Sequence, residues 1–230
     1  MNLLITGANR GLGLKLPETA LERGHRMFAG VRTLPPGGTL ASLIARYPDR
    51  VIAVKLDVTR EEDAAALAER LRSEGEALDV VINNAGVLLE RGVKLEDLST
   101  DAVEETFDIN LFGPIRVAKH MFPLMRQGGM LLNISSEAGC LSNAYDGDYP
   151  YALSKVALNY FSKQLKAHDK PRGVRVFAVH PGWIKTDMGG ENAPGDPQVT
   201  ADGILDIVEG KTAVSDDLYF INHRGEPMPL

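Results

Sequence analysis

The sequence is short of the features that mark secreted, membrane-bound and nucleic-acid-binding proteins. Cys140 is its only cysteine, so no disulfide can form within the chain, and a reducing, cytoplasmic setting is expected. No apolar run is long enough to span a bilayer, and Met1 leads straight into an apolar stretch. We therefore expect neither a membrane partner nor a leader peptide. The net charge is −6 and no basic cluster occurs, which argues against a nucleic-acid partner. No metal site is predicted.

What the sequence does contain is a regular alternation of apolar strands and amphipathic helices over residues 1–230, which at this length predicts a single domain. The alternation predicts an α/β fold, a doubly wound parallel sheet of about seven strands with helices on both faces. Strands are expected at 2–6, 25–31, 51–56, 78–82, 129–134, 174–180 and 218–222. Helices are expected after the turn at 7–13, ending near 23, and at 40–46, 61–74, 100–125, 151–170 and 201–209. Residues 187–200, rich in Gly, Pro and Asn, are expected to form a flexible flap over a cleft.

A glycine-rich turn joins the first strand to the first helix and contains Gly7, Gly11 and Gly13. A strand, a glycine turn and a helix in this order aim backbone N–H groups at a phosphate and let the backbone approach a pyrophosphate closely. The spacing differs from the commoner Gly-x-Gly-x-x-Gly, but its place after the first strand favours a dinucleotide site. Pro17 lies about two turns into this helix and lacks a backbone donor, so a kink is expected there.

The end of the second strand bears on which dinucleotide is bound. At this place an acidic residue binds the 2′-hydroxyl of the adenine ribose, whereas an arginine suits a 2′-phosphate. This chain has Val31 followed by Arg32, with no carboxylate, and Arg10 in the glycine turn offers a second positive charge. We therefore expect NADP (NADPH) to be preferred over NAD. The alternative is that both residues are ordinary surface arginines.

Polar or small residues follow the ends of the other predicted strands. Asp57 follows the third strand, 83–86 the fourth, Ser136 the fifth and 181–186 the sixth. Because the carboxyl ends of parallel strands share one edge, all of them are expected to line the same cleft. Asn110 interrupts an apolar part of the helix at 100–125. It is expected either to form a local kink or cap, or to hold water or a side chain in the cleft.

Tyr151 and Lys155 are four residues apart on a predicted helix, one turn apart on the same face. A lysine ammonium about 4 Å from a phenol favours the phenolate by roughly 4 kcal/mol, or about 3 pKa units. Tyr151 is therefore expected to titrate near neutrality, where a general acid or base is most effective. The alternative is a surface tyrosine beside a solvated lysine.

Taken together, these residues resemble the short-chain dehydrogenase/reductase family in its single-domain branch, which has a Rossmann fold. The resemblance runs nearly end to end. It is carried by Thr6-Gly-Ala-Asn-Arg-Gly-Leu-Gly13, Asp57, Asn83-Asn-Ala-Gly86, Asn110, Ser136, Tyr151, Lys155, Pro181 and Gly182. The glycine turn, Phe28-Ala-Gly-Val-Arg32 and the tail at 220–225 resemble the carbonyl-reductase-like subgroup that includes the C-factor proteins.

The resemblance implies roles for the matching positions. Tyr151 would exchange a proton with the substrate oxygen, and Lys155 would hold the nicotinamide ribose and lower the pKa of the tyrosine. Ser136, rather than its neighbour Ser135, would hydrogen bond the same oxygen, while Asn110 would fix a water that links Lys155 to solvent. Arg32 would hold the 2′-phosphate, Asp57 the adenine amine, Asn84 the ribose region and Thr186 the carboxamide. The positions implied around the cofactor are Gly7, Asn9, Arg10, Gly11, Leu12, Gly13, Arg32, Asp57, Val58, Asn84, Ala85, Gly86, Asn110, Tyr151, Lys155, Pro181, Gly182, Ile184 and Thr186.

The expected function is NADPH-dependent interconversion of a small-molecule carbonyl and an alcohol by hydride transfer, with Tyr151 as the general acid or base. The alternative is a nucleotide-binding signalling or regulatory protein of the C-factor type on the same fold. An epimerase or dehydratase would usually need a longer C-terminal region. Fifteen positions separate Ser136 from Tyr151, slightly more than the family's usual spacing, which leaves the substrate's shape open. A homodimer or homotetramer is one expectation for the assembly.

Overall fold

The computed structural model describes residues 1–168 and 172–229. Lys170, the predicted end of the Tyr151 helix, lies outside the described residues. In chain order the regular elements are β1 (Asn2–Thr6), α1 (Gly11–Glu22), β2 (Arg26–Val31), α2 (Gly38–Arg46), β3 (Val51–Lys55), α3 (Glu61–Ser73), β4 (Leu78–Asn83), α4 (Thr100–Phe107), α5 (Gly113–Met121), β5 (Met125–Ile134), α6 (Tyr149–His168), β6 (Arg175–His180), α7 (Pro197–Val208) and β7 (Phe220–Asn222). A π-helical segment, Asp108–Phe112, joins α4 to α5, and short 3₁₀ turns lie at Leu95–Asp97, Phe122–Leu124, Glu137–Gly139 and Leu141–Asn143.

Within the described residues the strands form one parallel sheet in the order β3-β2-β1-β4-β5-β6-β7. The predicted doubly wound fold is confirmed. The strand order reverses beside β1, which pairs with β2 on one side and with β4 on the other. In such sheets the ligand cleft opens at the carboxyl ends of the strands next to this reversal. The glycine turn after β1 and the residues after β4 lie at that position.

The core has two layers because successive residues of a strand point to opposite faces of the sheet. Leu3 and Ile5 of β1 pack in the layer covered by α1, α2 and α7, whereas Leu4 packs in the layer covered by α3, α5 and α6. All three side chains are completely buried. Both faces of the central strands are therefore apolar, which is why these strands appear in the sequence as short continuous apolar runs.

The helices α1 and α7 are joined by an ion-pair cluster outside the cleft. Arg23, just after α1, donates to three carboxylates at α7: Asp202, Asp206 and Glu209. Burial alone would raise the pKa of Glu209, but hydrogen bonds from Lys211, His25 and Arg23 outweigh it and lower that pKa to about 2. The cluster fixes the position of α7, whose first residues adjoin the predicted flap.

Several predicted boundaries are wrong, and the largest error concerns the helix at 100–125. That stretch is two α-helices joined by the π-helical segment, and β5 already begins at Met125. Pro197 starts α7, so the last residues of the segment predicted as a flap are helical. Helix α1 continues through Pro17 without a break. None of the helices within residues 1–168 and 172–229 combines the length and apolar character that a membrane span requires.

Candidate active site

The glycine turn leaves no room for side chains at two of its positions. A Cβ on Gly13 would lie 2.1 Å from the carbonyl oxygen of Gly7, and a Cβ on Gly7 would lie 3.0 Å from Cα of Ala85. Gly7 and Gly11 have φ of +64° and +52°, a conformation that glycine adopts readily. Within the described residues no side chain caps the N-terminus of α1. Its first N–H groups are therefore not used by a capping side chain and can bind an anion.

Thr6 and Asn84 join the two strands that border the cleft. The hydroxyl of Thr6 accepts hydrogen bonds from the main-chain N–H groups of Asn84 and Ala85, both at 3.0 Å. The side-chain amide of Asn84 donates to the carbonyl oxygens of Thr6 at 3.0 Å and Gly7 at 3.4 Å. The donors of this side chain are thus used to hold the glycine turn, and Asn84 can contact a ribose only through its other groups.

Tyr151, Lys155, Ser136 and Asn110 converge beside Gly86. Lys155 is 4% exposed, and its Nζ donates to the carbonyl oxygen of Ile134 at 2.8 Å and lies 5.4 Å from the centre of the Tyr151 ring. A Cβ on Gly86 would lie 3.3 Å from Oδ1 of Asn110 and 3.8 Å from Nζ of Lys155. Ser136 lies close enough to the hydroxyl of Tyr151 to lower its pKa. The four side chains predicted to be catalytic therefore meet at one place.

Asn110 lies inside the π-helical segment, a type of bulge often found at functional sites. Its Oδ1 accepts from the N–H of Val87 at 2.8 Å, and its Nδ2 donates to the carbonyl oxygen of Val87 at 2.9 Å and to the hydroxyl of Ser154 at 3.1 Å. Ser154 in turn donates to the carbonyl oxygen of Tyr151 at 2.7 Å. Asn110 thus marks an irregularity in the helix and holds the loop after β4 against the Tyr151 turn, and its contact with a water stays a prediction.

The predicted acidification of Tyr151 is wrong for this structure. Burial raises the pKa of Tyr151, and the hydrogen bond with Ser136 and the charge of Arg91 only partly offset that effect. Burial also lowers the pKa of Lys155 to about 8. The attraction between phenolate and ammonium is opposed by the desolvation of both groups, which disfavours their charged forms.

Known proteins of similar sequence and structure decide the family. A model of the short chain dehydrogenase family matches residues 1–196. The chain belongs to this family. Among sequence relatives, the C-signal protein of Myxococcus xanthus is 34% identical over 157 residues, which make up 66% of this chain and 92% of that protein. Among solved structures, the carbonyl reductase Sniffer of D. melanogaster has a TM-score of 0.91 and 26% identity, covering 100% of this chain and 99% of that one. An NADPH-bound carbonyl reductase from chicken fatty liver has a TM-score of 0.85 and 27% identity, covering 100% and 98%.

These similarities confirm the resemblance on which the family was predicted, and as a short-chain dehydrogenase the chain is an oxidoreductase by family.

The residues predicted to recognise the adenosine half of the cofactor follow the carboxyl ends of β1, β2 and β3. Arg10 and Arg32 are both exposed, and within the described residues neither side chain has a hydrogen bond or an ion pair, so both guanidinium groups can reach a ligand. Asp57 is partly buried and accepts from the N–H and the hydroxyl of Thr59 at 3.1 and 2.8 Å. Leu12 and Val58 point into the core and can offer only their main chain.

The side chain of Ser135 is bonded to Asn159 of α6 and not to the catalytic residues. Its hydroxyl is buried and donates to Oδ1 of Asn159 at 2.5 Å, and Nδ2 of Asn159 donates to the carbonyl oxygen of Gly139 at 3.0 Å. Ser136 is therefore the serine that faces the dehydrogenase's tyrosine. Sequence reasoning missed Asn159, although a polar residue four positions after Lys155 on the buried face of α6 is a usable signal.

The segment after β6 closes one side of the cleft. Gly182 has φ of +87°, and Thr186 lies across the cleft from the glycine turn, 3.5 Å from where a Cβ on Gly11 would be. The hydroxyl of Thr186 accepts from the N–H of Gly189 at 3.1 Å. Nη2 of Arg91, in the loop after β4, donates to the carbonyl oxygen of Met188 at 2.6 Å. The predicted flap is thus tied at several points in this dehydrogenase, and its flexibility stays a prediction.

Proposed function

We propose that this short-chain dehydrogenase interconverts a carbonyl and an alcohol with NADPH as the redox partner. The observation that carries the proposal is the meeting of Tyr151, Ser136 and Lys155 at the carboxyl edge of the sheet. They lie beside the strand reversal that favours nucleotide binding. The carbonyl reductases among the similar structures support the same reaction class.

The residues present fit a dinucleotide. The positions where a Cβ would clash, Gly7 and Gly13, and the uncapped N-terminus of α1 form a cradle for a pyrophosphate. We assign the cofactor contacts to Gly7, Asn9, Arg10, Gly11, Leu12, Gly13, Arg32, Asp57, Val58, Asn84, Ala85, Gly86, Pro181, Gly182, Ile184 and Thr186, together with the catalytic residues. When bound, NADPH supplies the hydride that the carbonyl carbon receives.

Tyr151 is the proton donor in this proposal. Because burial raises its pKa, the phenol keeps its proton at neutral pH, which is the form that a proton donor in carbonyl reduction requires. Ser136 would donate to the same substrate oxygen and stabilise the negative charge that develops there. Lys155, whose pKa is lowered to about 8, would hold the nicotinamide ribose and can give up a proton at mildly alkaline pH.

The proton returned to Tyr151 would come through Lys155 and a water. The side chain of Asn110 is already bonded to Val87 and Ser154. We therefore assign the binding of this water to the main chain of the π-helical segment around Asn110, not to the side-chain amide.

Replacing Tyr151 with phenylalanine tests the chemistry. Tyr151→Phe removes only the hydroxyl, so turnover of aldehydes and ketones should be lost while NADPH still binds. Tyr160→Phe is the matched control because Tyr160 is an exposed tyrosine of the same helix. Turnover by Tyr151→Phe at the wild-type rate would refute the assignment.

Replacing Arg32 with aspartate tests the preference for NADPH. A hydrogen bond between charged groups is worth about 1.5–3 kcal/mol, so Arg32→Asp should lower the ratio of kcat/KM for NADPH over NADH by roughly 10- to 100-fold. The matched control is Arg72→Asp, which makes the same charge change at the far end of α3 on the exposed surface. An unchanged ratio in Arg32→Asp would contradict the 2′-phosphate role.

The similarity to the C-signal protein of Myxococcus xanthus favours a second candidate, a nucleotide-binding signalling protein. NADPH oxidation with a panel of aldehydes and ketones separates the two candidates. A protein that binds NADPH tightly but oxidises it with no compound of a broad panel would support the signalling role.

A homodimer through α4, α5 and α6 is a further proposal about the assembly. Leu153 and Tyr160 on α6 are large side chains that are 54% and 63% exposed, and Phe112, in the π-helical segment that joins α4 to α5, is 46% exposed. Light scattering on a sizing column tests it, and Leu153→Glu should convert the dimer to a monomer.

A further inference from the structure

The imidazole of His180 contacts the main chain directly after Ser136. Nδ1 of His180 accepts a hydrogen bond from the N–H of Glu137 at 3.1 Å. His180 is the last residue of β6, and the neighbouring β5 ends at Ile134, which pairs with Val179. The contact therefore joins the two strands just beyond their last regular pairing, at the edge where the site lies.

Ser136 is held by few other bonds. Its backbone is extended, its hydroxyl accepts from the N–H of Ala138 at 3.1 Å, and its carbonyl oxygen accepts from the N–H of Gly139 at 3.0 Å. Both bonds lie within the same short turn and do not fix that turn to the sheet. Before Ser136, the chain is anchored by the main-chain bond from Ser135 to Val179 at 2.8 Å and by the bond from the Ser135 hydroxyl to Asn159 at 2.5 Å. After Ser136, it is anchored by the bond from Glu137 to His180 at 3.1 Å and, two residues later, by the bond from Asn159 to Gly139 at 3.0 Å. The contact with His180 is the one made by the residue directly after Ser136.

We infer that His180 is a positioning residue that sets the direction of the Ser136 hydroxyl toward the substrate oxygen. The inference rests on the proposed function, since Ser136 has a substrate only if the protein reduces carbonyls. Small displacements of a group that stabilises charge in the transition state have large effects on rate. His180 is itself held from behind, because its carbonyl oxygen accepts from the N–H of His223 at 3.0 Å.

His180 can fill this role only as a neutral imidazole. A protonated ring carries N–H donors on both nitrogens, so Nδ1 could no longer accept from Glu137. The titratable groups that face the ring are Glu137 in the turn and His223 after β7. Burial lowers the pKa of His180, the charge of Glu137 raises it and His223 lowers it, and the net direction is downward. The acceptor therefore persists at neutral pH and is lost on acidification.

Two variants separate positioning from simple stability. His180→Asn can place an amide oxygen where Nδ1 lies, whereas His180→Leu offers no acceptor. We expect His180→Leu to lower kcat by roughly 10- to 100-fold with an unchanged Kd for NADPH, and His180→Asn to restore most of kcat. The wild type should also lose kcat as the pH falls below 6.5, the ordinary pKa of histidine, and His180→Asn should not. In His223→Asn the acid limb should persist.

Hydrogen exchange gives a readout that needs no turnover. The N–H of Glu137 should be protected in the wild type and in His180→Asn but exchange freely in His180→Leu. An unchanged kcat in His180→Leu, an equal loss in both variants, or an acid limb that persists in His180→Asn would overturn the inference. If the wild type reduces no carbonyl compound while Glu137 shows the expected protection pattern, the proposed function fails and the contact itself stands.

Discussion

Replacing Lys155 with methionine is expected to make the folded protein no less stable while it abolishes turnover. Lys155 is almost fully buried, and burial lowers its pKa from 10.5 to about 8. This difference corresponds to roughly 3 kcal/mol of unfavourable free energy for a charged lysine in the folded state at pH 7. Methionine has a similar length and no charge to desolvate. Against this gain, the carbonyl oxygen of Ile134 loses its donor, which costs about 1–3 kcal/mol.

The pH dependence of the stability difference is the sharper part of this prediction. Between pH 8 and 10.5 the unfolded chain still binds a proton at Lys155 that the folded chain has released. The wild type therefore gains stability as the pH rises through this range, and Lys155→Met does not. The free energy of unfolding of Lys155→Met minus that of the wild type should be constant below pH 8 and should fall by roughly 3 kcal/mol by pH 10.5.

Urea unfolding followed by far-ultraviolet circular dichroism, at several pH values from 7 to 10.5, measures both effects. Lys163→Met is the matched control, because it removes a lysine from the exposed face of the same helix. NADPH oxidation is measured on the same samples. A variant that is less stable than the wild type by more than about 2 kcal/mol at pH 7, or a difference that does not change with pH, would refute the reasoning.

Three further substitutions test the fold, two of them beside the site and one in the ion-pair cluster between α1 and α7. Gly13→Ala should lower or abolish NADPH binding and destabilise the protein by about several kcal/mol, because its Cβ would lie 2.1 Å from the carbonyl oxygen of Gly7. The control Gly37→Ala has open space around its Cβ, so it should change neither NADPH binding nor the melting temperature. Asn159→Leu leaves two buried partners unsatisfied and should cost about 2–4 kcal/mol in urea unfolding; a neutral effect would contradict the role of the Ser135 contact. Glu209→Gln should remove stability that the wild type has above pH 4.5 and loses as the pH falls toward about 2, so acid titrations of the two proteins should converge at low pH.

The fold was predictable because its signals are local. Continuous apolar runs such as Leu3 to Ile5 mark strands buried on both faces, and the glycines after β1 mark a turn that excludes side chains. Alternating strands and helices then leave few topologies to consider. The placement of Asp57, Ser136 and Thr186 at one edge followed from the parallel direction of the strands alone.

The errors arose where distant segments decide the local structure. Gly113, Pro114 and Pro123 lie where the stretch 100–125 changes from one helical segment to the next. The bulge at Asn110, by contrast, depends on Val87 and Ser154, which belong to other elements. The pKa of Tyr151 was predicted in the wrong direction because the degree of burial is a property of the folded chain. The contact of His180 with the turn after Ser136 joins two strand ends, and no spacing in the sequence marks it.

The most direct test of hydride transfer to a carbonyl uses NADPH that carries deuterium at both hydrogen positions of nicotinamide C4. The purified protein is incubated with this cofactor and a panel of ketones and aldehydes, and the products are analysed by mass spectrometry. Our account predicts alcohols with deuterium on the former carbonyl carbon from the wild type and from Tyr160→Phe, and none from Tyr151→Phe. Alcohols without deuterium, no alcohol from the wild type, or deuterated alcohol from Tyr151→Phe would contradict it.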